Sequence, residues 1–350
     1  MPVRRRVCLR DIARAAGCHF STVSLALRNH PRLPRATCER VQRLARELGY
    51  VPDPMLASLA HYRSALRPVA YHATLAWLTN HPARGGWRQV PLFLDYYRGA
   101  AARAAELGYR MEEFWLREPG MTPARAGQIL RARNIAGLVV APQPEPGMAV
   151  ELDWADFSAV AIGYSLARPR LHLVCPAQFG AIKVAMHELL ARGYRRPGLV
   201  MLRASDDRVD QHWQGGYLVA QQSCARGDRV APLFLEAWDE ARFAAWFRRH
   251  RPDALVTKLP EVGAALRRAA RGVAREVGVA YLTLAAPGGE LAGVHENPAE
   301  VGAAAVDYVT GMIHRNERGL PALPRRLLIE GTWVDGRTVR RAVPASAARP

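Results

Sequence analysis

Phe20, Ser21, Ser24 and Leu25 fall on one side of a helix drawn through FSTVSLAL at residues 20–27, and Val23, Ala26 and Leu27 fall on the other. Short hydroxyls beside apolar groups on an outward face suit phosphate oxygens and base edges. Ahead of this stretch Ile12, Ala13 and Ala16 offer a packing face, and Gly17 supplies a tight turn. A first helix, a glycine turn and a second helix with a polar outer face are the parts of a helix-turn-helix.

The charge supports a polyanionic partner. The 350 residues carry a formal net charge of +18, almost wholly from arginine, since Lys183 and Lys258 are the only lysines. Residues 1–63 hold twelve arginines against Asp11, Glu39, Glu47 and Asp53, so under a fifth of the chain carries nearly half the excess. Solvated arginines alone would produce the same total; the clustering beside the polar helix face is what favours nucleic acid.

Enzyme signatures are missing. No GxxxxGK[ST], GxGxxG, GxSxG or HExxH occurs, and PGGELAG at 287–293 reads as a turn without a strand and helix around it. The cysteines at 8, 18, 38, 175 and 224 make no CxxC pair and no zinc spacing. The expectation is a non-enzyme with no cofactor and no metal, and with free thiols in a reducing compartment. No apolar run reaches about 18 residues and no signal-peptide core follows RRR at 4–6. A cytoplasmic location without membrane association is expected.

The elements that must position these residues follow from periodicity. Short helices are expected at 9–16 and 20–28, and a longer one from about 35 to 48 with Val41, Leu44, Ala45 and Leu48 at helical spacing. Asp53 can cap a short helix whose first turn holds Pro54, bounded by prolines at 52 and 68. From about residue 70, strand-like runs at 73–78, 135–141, 158–164, 197–202, 231–237, 253–257 and 277–284 alternate with helical stretches such as 92–107, 122–133, 178–192 and 259–271. That alternation predicts parallel sheets flanked by helices, and some 270 residues of it predicts two α/β lobes with a cleft between them.

The stretch LRDIARAAGCHFSTVSLALRNHPRLPRATCERVQRLARELGYVPDP at residues 9–54 resembles the DNA-binding domain of the LacI family of bacterial transcription regulators, notably in DIA, AG, STVS and LGYVPDP. The resemblance implies base-reading roles for Phe20, Ser21 and Leu25, and phosphate contacts from Thr22 and Ser24, with Asn29 a further candidate. Two positions depart from the family pattern. His19 stands where a serine often caps the recognition helix, and Leu25 stands where an arginine often grips a guanine. Leucine cannot make that bidentate bond but can touch a thymine methyl, so an unusual half-site is expected.

Residues 53–61 resemble the family's hinge helix, in which a leucine enters the minor groove. Leu59 occupies the matching place next to Ala57 and Ser58; packing against the third helix or a partner chain is its alternative role. The resemblance continues more weakly over 70–335, implying a core like that of periplasmic binding proteins that dimerises and holds an effector in its cleft. LLARGYRRPGLV, ENPAEVGAAAVDYV and LIEGTWVDGRTV carry it, the last fitting a less common subgroup.

The implied cleft residues depart most. DQHWQGGY places Trp213 near the family's sugar-gripping arginine, with Arg208 upstream, and LVTKLPEVG places Lys258 nearest the family's acidic sugar ligand. Asn80, Phe93 and His295 complete the candidate set. Cations beside aromatic rings suit an anionic or aromatic effector, while a packed Trp213 and a solvated Lys258 would suit none. His295 with Glu296 lines the interlobe crossover or forms a local hydrogen bond.

The resulting division is a helix-turn-helix domain at 1–52, a hinge helix and linker at 53–68, a two-lobed core at 69–340 and a mobile tail at 341–350. The expected partners are an operator in double-stranded DNA, a second copy of the chain and a small-molecule effector, and the expected activity is that of a dimeric repressor in the bacterial nucleoid. A periplasmic-type solute-binding protein, or after it an enzyme, is the alternative on the same two-lobed core.

Overall fold

The computed structural model describes residues 7–27, 33–50, 73–269, 277–285 and 288–341. The expected hinge helix, with Ser58 and Leu59, lies outside them, as do Asn29 and nearly all of the expected tail.

Three helices form the head: α1 (Leu9–Ala16), α2 (Phe20–Leu27) and α3 (Arg35–Glu47). The Asp11 carboxylate accepts from the Cys8 N–H at 2.9 Å and so caps α1. The chain then turns at Gly17, whose φ of 64° lies in the left-handed region. Ile12, Ala13, Ala16, Val23, Ala26, Cys38, Val41 and Ala45 are buried against one another. Two expectations for α3 change: Leu48 is exposed, and Cys38, one turn before Val41, takes part in the core instead.

The remainder forms two lobes. In the N-terminal lobe a six-stranded parallel sheet runs in the order β13 (Arg326–Ile329), β7 (His172–Pro176), β5 (Ser158–Ile162), β3 (Gly137–Val140), β1 (Ala73–Thr79), β2 (Tyr109–Trp115). In the C-terminal lobe the order is β14 (Thr332–Val334), β12 (Ala292–His295), β11 (Gly278–Leu282), β10 (Ala254–Thr257), β8 (Pro197–Leu202), β9 (Leu233–Leu235), with only β14 antiparallel. β4 (Met148–Ala149) and β6 (Leu166–Arg168) make a small separate pair. Central strands such as GLVV at β3 and ALVT at β10 are buried throughout, because helices cover both faces of each sheet.

The covering helices are α4 (Pro91–Glu106), α5 (Pro123–Ala132), α6 (Gln178–Ala191), α7 (Arg203–Asp207), α8 (His212–Ala220), α9 (Glu240–His250), α10 (Glu261–Ala269) and α11 (Pro298–Arg315). Thr122 and Asp239 cap α5 and α9 by accepting from Arg125 N at 3.2 Å and Arg242 N at 2.9 Å. The chain crosses between lobes three times: from β7 into α6, from β12 into α11, and from β13 into β14. Glu296 lies on the second crossing.

One helix contact sets the N-terminal lobe. α4 and α11 cross with their backbones touching, because Gly99 and Gly302 stand at the crossing. A Cβ on Gly302 would lie 1.9 Å from the Tyr96 carbonyl oxygen, and one on Gly99 would lie 1.9 Å from that of Ala299. An Arg103–Asp307 pair at 2.7 Å closes the exposed side of the contact. The crossing holds Tyr96, on α4, in register with the segment leaving β12.

Candidate nucleic-acid interface and interlobe cluster

On α2 the structure places Val23 and Ala26 in the head's core and Phe20 and Ser21 in solvent, Phe20 being 46% exposed. Thr22, Ser24 and Leu25 are half-buried on the flanks, and Leu27, expected inward, is half-buried as well. The helix thus presents Phe20 and Ser21 at its N-terminal end, where a recognition helix meets base edges. Behind it, Arg40 donates to the Ala16 carbonyl at 3.0 Å and Gln42 to the Ala26 carbonyl at 2.9 Å, so α3 braces the ends of both shorter helices.

The absent serine cap is replaced in kind. The Ser21 backbone N–H reaches His19 Nδ1 at 3.4 Å, and the Ser21 hydroxyl lies 2.7 Å from the same nitrogen. A backbone N–H can only donate, so Nδ1 is the acceptor and the hydroxyl donates to it. The His19 ring also packs 4.3 Å from the Phe20 ring. Histidine therefore performs the capping and orients two of the outward side chains.

In the core, the segments that follow the carboxyl ends of the parallel strands from both sheets converge between the lobes, the general place for ligands in α/β folds. Arg208, beyond β8, crosses to the other lobe: its guanidinium donates to the Gln143 carbonyl at 2.8 Å and to the Pro144 carbonyl, and lies 5.8 Å from the Phe93 ring. Phe93 is buried between His81 and Tyr96, with ring centroids 6.2 Å and 6.4 Å away. His81 Nε2 donates to the Pro142 carbonyl at 3.3 Å, and burial holds its pKa below the usual imidazole value. Burial likewise lowers the Arg208 pKa, the mark of a cation held in a dry seam.

Arg208→Ala is therefore expected to loosen the lobes. Loss of charge-assisted bonds to two carbonyls corresponds to about 1.5–3 kcal/mol. Faster amide hydrogen exchange around residues 141–148, with the far face of each sheet unchanged, is the result to look for. Unchanged exchange there would mean that Arg208 does not hold the seam.

Lys258, just past β10, is half-buried with Nζ 5.7 Å from the Trp213 ring. It makes no ion pair or hydrogen bond among the described residues. Burial lowers its pKa, opposed by Glu296 and reinforced by Arg208. Trp213 is fully buried in the C-terminal lobe core, so its packing role is realised and it presents only its ring to Lys258. Asn80 is set to one side: it donates to Gln143 Oε1 at 3.3 Å, accepts from Arg117 at 3.1 Å, and lines a cavity of about 120 Å³ with Leu116, Met121 and Thr122. His295 donates from Nδ1 to the Leu284 carbonyl at 2.8 Å, the local hydrogen bond its position allowed.

Sequence reasoning did not single out Tyr96, Asp206 or Thr283. Tyr96 is buried one turn after Phe93, and its pKa is pushed well up, by burial first and then by the nearby Glu296 carboxylate. Asp206 is buried, accepts from Gln214 N at 3.1 Å, and titrates above the usual carboxylate range because of that burial. Thr283 adopts φ of 64°, a strained conformation for a β-branched residue, just after β11. Only the helical spacing of Phe93 and Tyr96 could have signalled any of these. Among the described residues no group of His, Cys, Asp and Glu is arranged to hold a metal, and no helix is long and apolar enough to cross a membrane.

Comparison with known proteins agrees with these geometries. Residues 8–53 match the family model described as bacterial regulatory proteins, lacI family. A search of curated proteins found no match. Among solved structures, the chain is similar to a LacI-family transcriptional regulator protein from Rhizobium etli at a TM-score of 0.56 and 15% identity, covering 77% of this chain and 99% of that one. It is similar to a LacI transcriptional regulator from a Rhodococcus species at 0.53 and 16%, covering 77% and 99%. The lac repressor dimer bound to operator and the anti-inducer ONPF matches at 0.50 and 14%, covering 96% and 100%. At these identities the structural matches speak for the fold, and the family model speaks for the head. The two-lobed α/β core has the fold of these regulators, residues 8–53 match the lacI family model in sequence, and together they mark the chain as a DNA-binding transcriptional regulator with a LacI-family head.

Proposed function

We propose that this protein is a dimeric repressor that binds a pseudo-palindromic operator and is modulated by a small molecule held between its lobes. The observation that carries the reading is α2, an amphipathic helix with Phe20 and Ser21 in solvent at its leading end, inside an arginine-rich segment that matches the family model. Residues 1–52 form the reading head, 53–68 the hinge and linker, and 69–340 the dimerising core. Each head fills one major-groove half-site, read by Phe20, Ser21 and Leu25, while Thr22, Ser24 and Asn29 hold phosphates. Leu59, beside Ser58, is the minor-groove wedge that bends the centre of the site. Cleft occupancy changes the relation of the lobes and thereby the hinge. The lac repressor matched above was itself solved as a dimer on operator with a bound ligand, which supports the same division of labour here.

The test is selection of binding sites from random duplex DNA with the full-length protein at two salt concentrations. A recovered pseudo-palindrome supports the reading, with affinity falling about a thousandfold or more between 50 and 200 mM salt if six or more phosphates are engaged. Ser21→Ala and Leu25→Ala are expected to change preference at defined half-site positions, each by about 1–3 kcal/mol. A single asymmetric site, or none at either salt, would argue against a dimeric repressor. A selected profile that ignores both substitutions would remove these residues from the reading set.

A further inference from the structure

Five buried polar atoms without a hydrogen-bond partner lie at or beyond the carboxyl ends of strands, where the lobes face each other: Gln178 Oε1, Asp206 Oδ2, Trp213 Nε1, Thr283 Oγ1 and Glu296 Oε1. Buried polar groups are normally paired, and a concentration of unpaired ones beside a strained threonine marks a place that a ligand completes. Asp206, Trp213, Thr283 and Glu296 come from four separate segments of the C-terminal lobe and its crossover, so no single loop explains them.

Two of the charged groups there define what the ligand must bring. Glu296 is only 2% exposed, yet its Oε1 is buried with no hydrogen-bond partner, and the carboxylate makes no ion pair among the described residues. Lys258 and Glu296 follow the carboxyl ends of β10 and β12, which flank β11 in one sheet; the two form no bridge within 4.0 Å, and the ammonium lies 5.7 Å from the Trp213 ring. Among the described residues, three N–H donors without an acceptor thus share one sheet edge with a carboxylate oxygen without a donor. A ligand that offers an acceptor to Lys258 and an O–H to Glu296 satisfies both. Lys258 narrows the class further, because Arg208 is already engaged by the Gln143 and Pro144 carbonyls while the Lys258 ammonium has no polar acceptor among the described residues.

We propose that the cleft takes a small hydroxylated monoanion, a hydroxy acid whose carboxylate meets Lys258 and whose hydroxyl donates to Glu296. Arg208 contributes charge and closes the far side, its hydrogen bonds being already engaged by Gln143 and Pro144. A neutral sugar leaves the ammonium without its counter-charge, and a simple inorganic anion leaves Glu296 without a donor. This assignment rests on the reading of the cleft as an effector site and names its ligand class.

The experiment is calorimetric titration of full-length protein with gluconate, glucuronate and lactate, each beside a neutral counterpart (sorbitol, glucose and 1,2-propanediol), and with inorganic phosphate. At least one hydroxy acid is expected to bind saturably, at least tenfold more tightly than its neutral counterpart and than phosphate. Lys258→Met should weaken that binding at least tenfold, Lys258→Arg should retain most of it, and Glu296→Gln should weaken it by a smaller factor. Melting curves check folding, and Lys258→Met should melt no lower than the parent because it removes an unpaired, half-buried charge. Saturable binding of a neutral counterpart that ignores Lys258→Met overturns the anion assignment and leaves the effector cleft standing. Phosphate binding as tight as the hydroxy acids overturns the hydroxyl requirement. No binding by any compound overturns the proposal and the effector role of the cleft together, while operator selection remains a separate result.

Discussion

Ile12→Ala is expected to abolish operator binding while leaving the two lobes intact. Ile12 is fully buried at the centre of the head, against residues of all three helices, and its truncation leaves a cavity that short, tightly braced helices cannot collapse. Such substitutions cost about 2–5 kcal/mol. A unit of this size, with eight buried apolar side chains, has a stability of the same order. The head should therefore be largely unfolded at 25 °C and the apparent operator affinity should fall by at least about a hundredfold, since 2.7 kcal/mol is two decades. Calorimetric melting separates the outcomes: the core transition should stay in place as operator binding disappears. Operator binding within a few fold of the parent would show that the head has a larger reserve, supplied by contacts outside the described residues.

Gly302→Val should damage the other end of the molecule. In an open helix, replacing glycine by a residue with a side chain is neutral or stabilising, and Gly302→Ala would be worth about 1 kcal/mol in favour of folding. Here the sign reverses, because the first atom of the new side chain would meet the Tyr96 carbonyl oxygen at 1.9 Å and the Ala100 nitrogen at 2.8 Å. The obstacle is backbone, so no rotamer change relieves it and α4 and α11 must move apart. Ordinary overpacking costs about 1–3 kcal/mol, and a clash with a helix backbone should reach or exceed the top of that range. Thermal unfolding of the core is the measurement, with Gly302→Ala also expected to melt below the parent. A Gly302→Ala protein that melts higher would show that the helices separate at little cost. Because the same crossing holds Tyr96 beside Glu296, Gly302→Val should also weaken whatever binds between the lobes.

The head was readable because its signals are local. A helical stripe at Ile12, Ala13 and Ala16, a turn that only glycine makes without strain, and a second stripe at Val23 and Ala26 each act within one or two turns. The predicted helices at 9–16, 20–28 and 35–48 match the observed ones to within a residue. The exceptions are instructive. Cys38 joins the core where Leu48 was expected, because Leu48 lies past the end of α3, beyond the stripe that faces the shorter helices.

In the core, apolar runs such as GLVV and ALVT announced buried parallel strands. β2, with the sequence YRMEEFW, was not recognised. It is an edge strand whose charged residues reach solvent, so alternation replaces the continuous apolar run. β12, β13 and β14 are three or four residues long and owe their strand form to partners far away in sequence.

What the sequence determined by itself is the set of parts: a basic helix-turn-helix, the βα alternation of a two-lobed core, and a cation just past the strand at 253–257. Those properties depend on residue type at short spacing, which is all that a linear pattern records. Only the tertiary structure decided which parts meet. It moved Trp213 from a ligand-facing position into the core, tied Asn80 to Arg117 and Gln143, and turned Arg208 into a bond between lobes. It also set Lys258 and Glu296 at the same edge of one sheet without joining them. The residues concerned are as many as 65 positions apart along the chain in the Arg208–Gln143 contact, and their meeting follows from three interlobe crossings and one glycine-lined helix contact. Packing of this kind is a property of surfaces that exist only after the elements have formed, which is why no spacing in the sequence announced it.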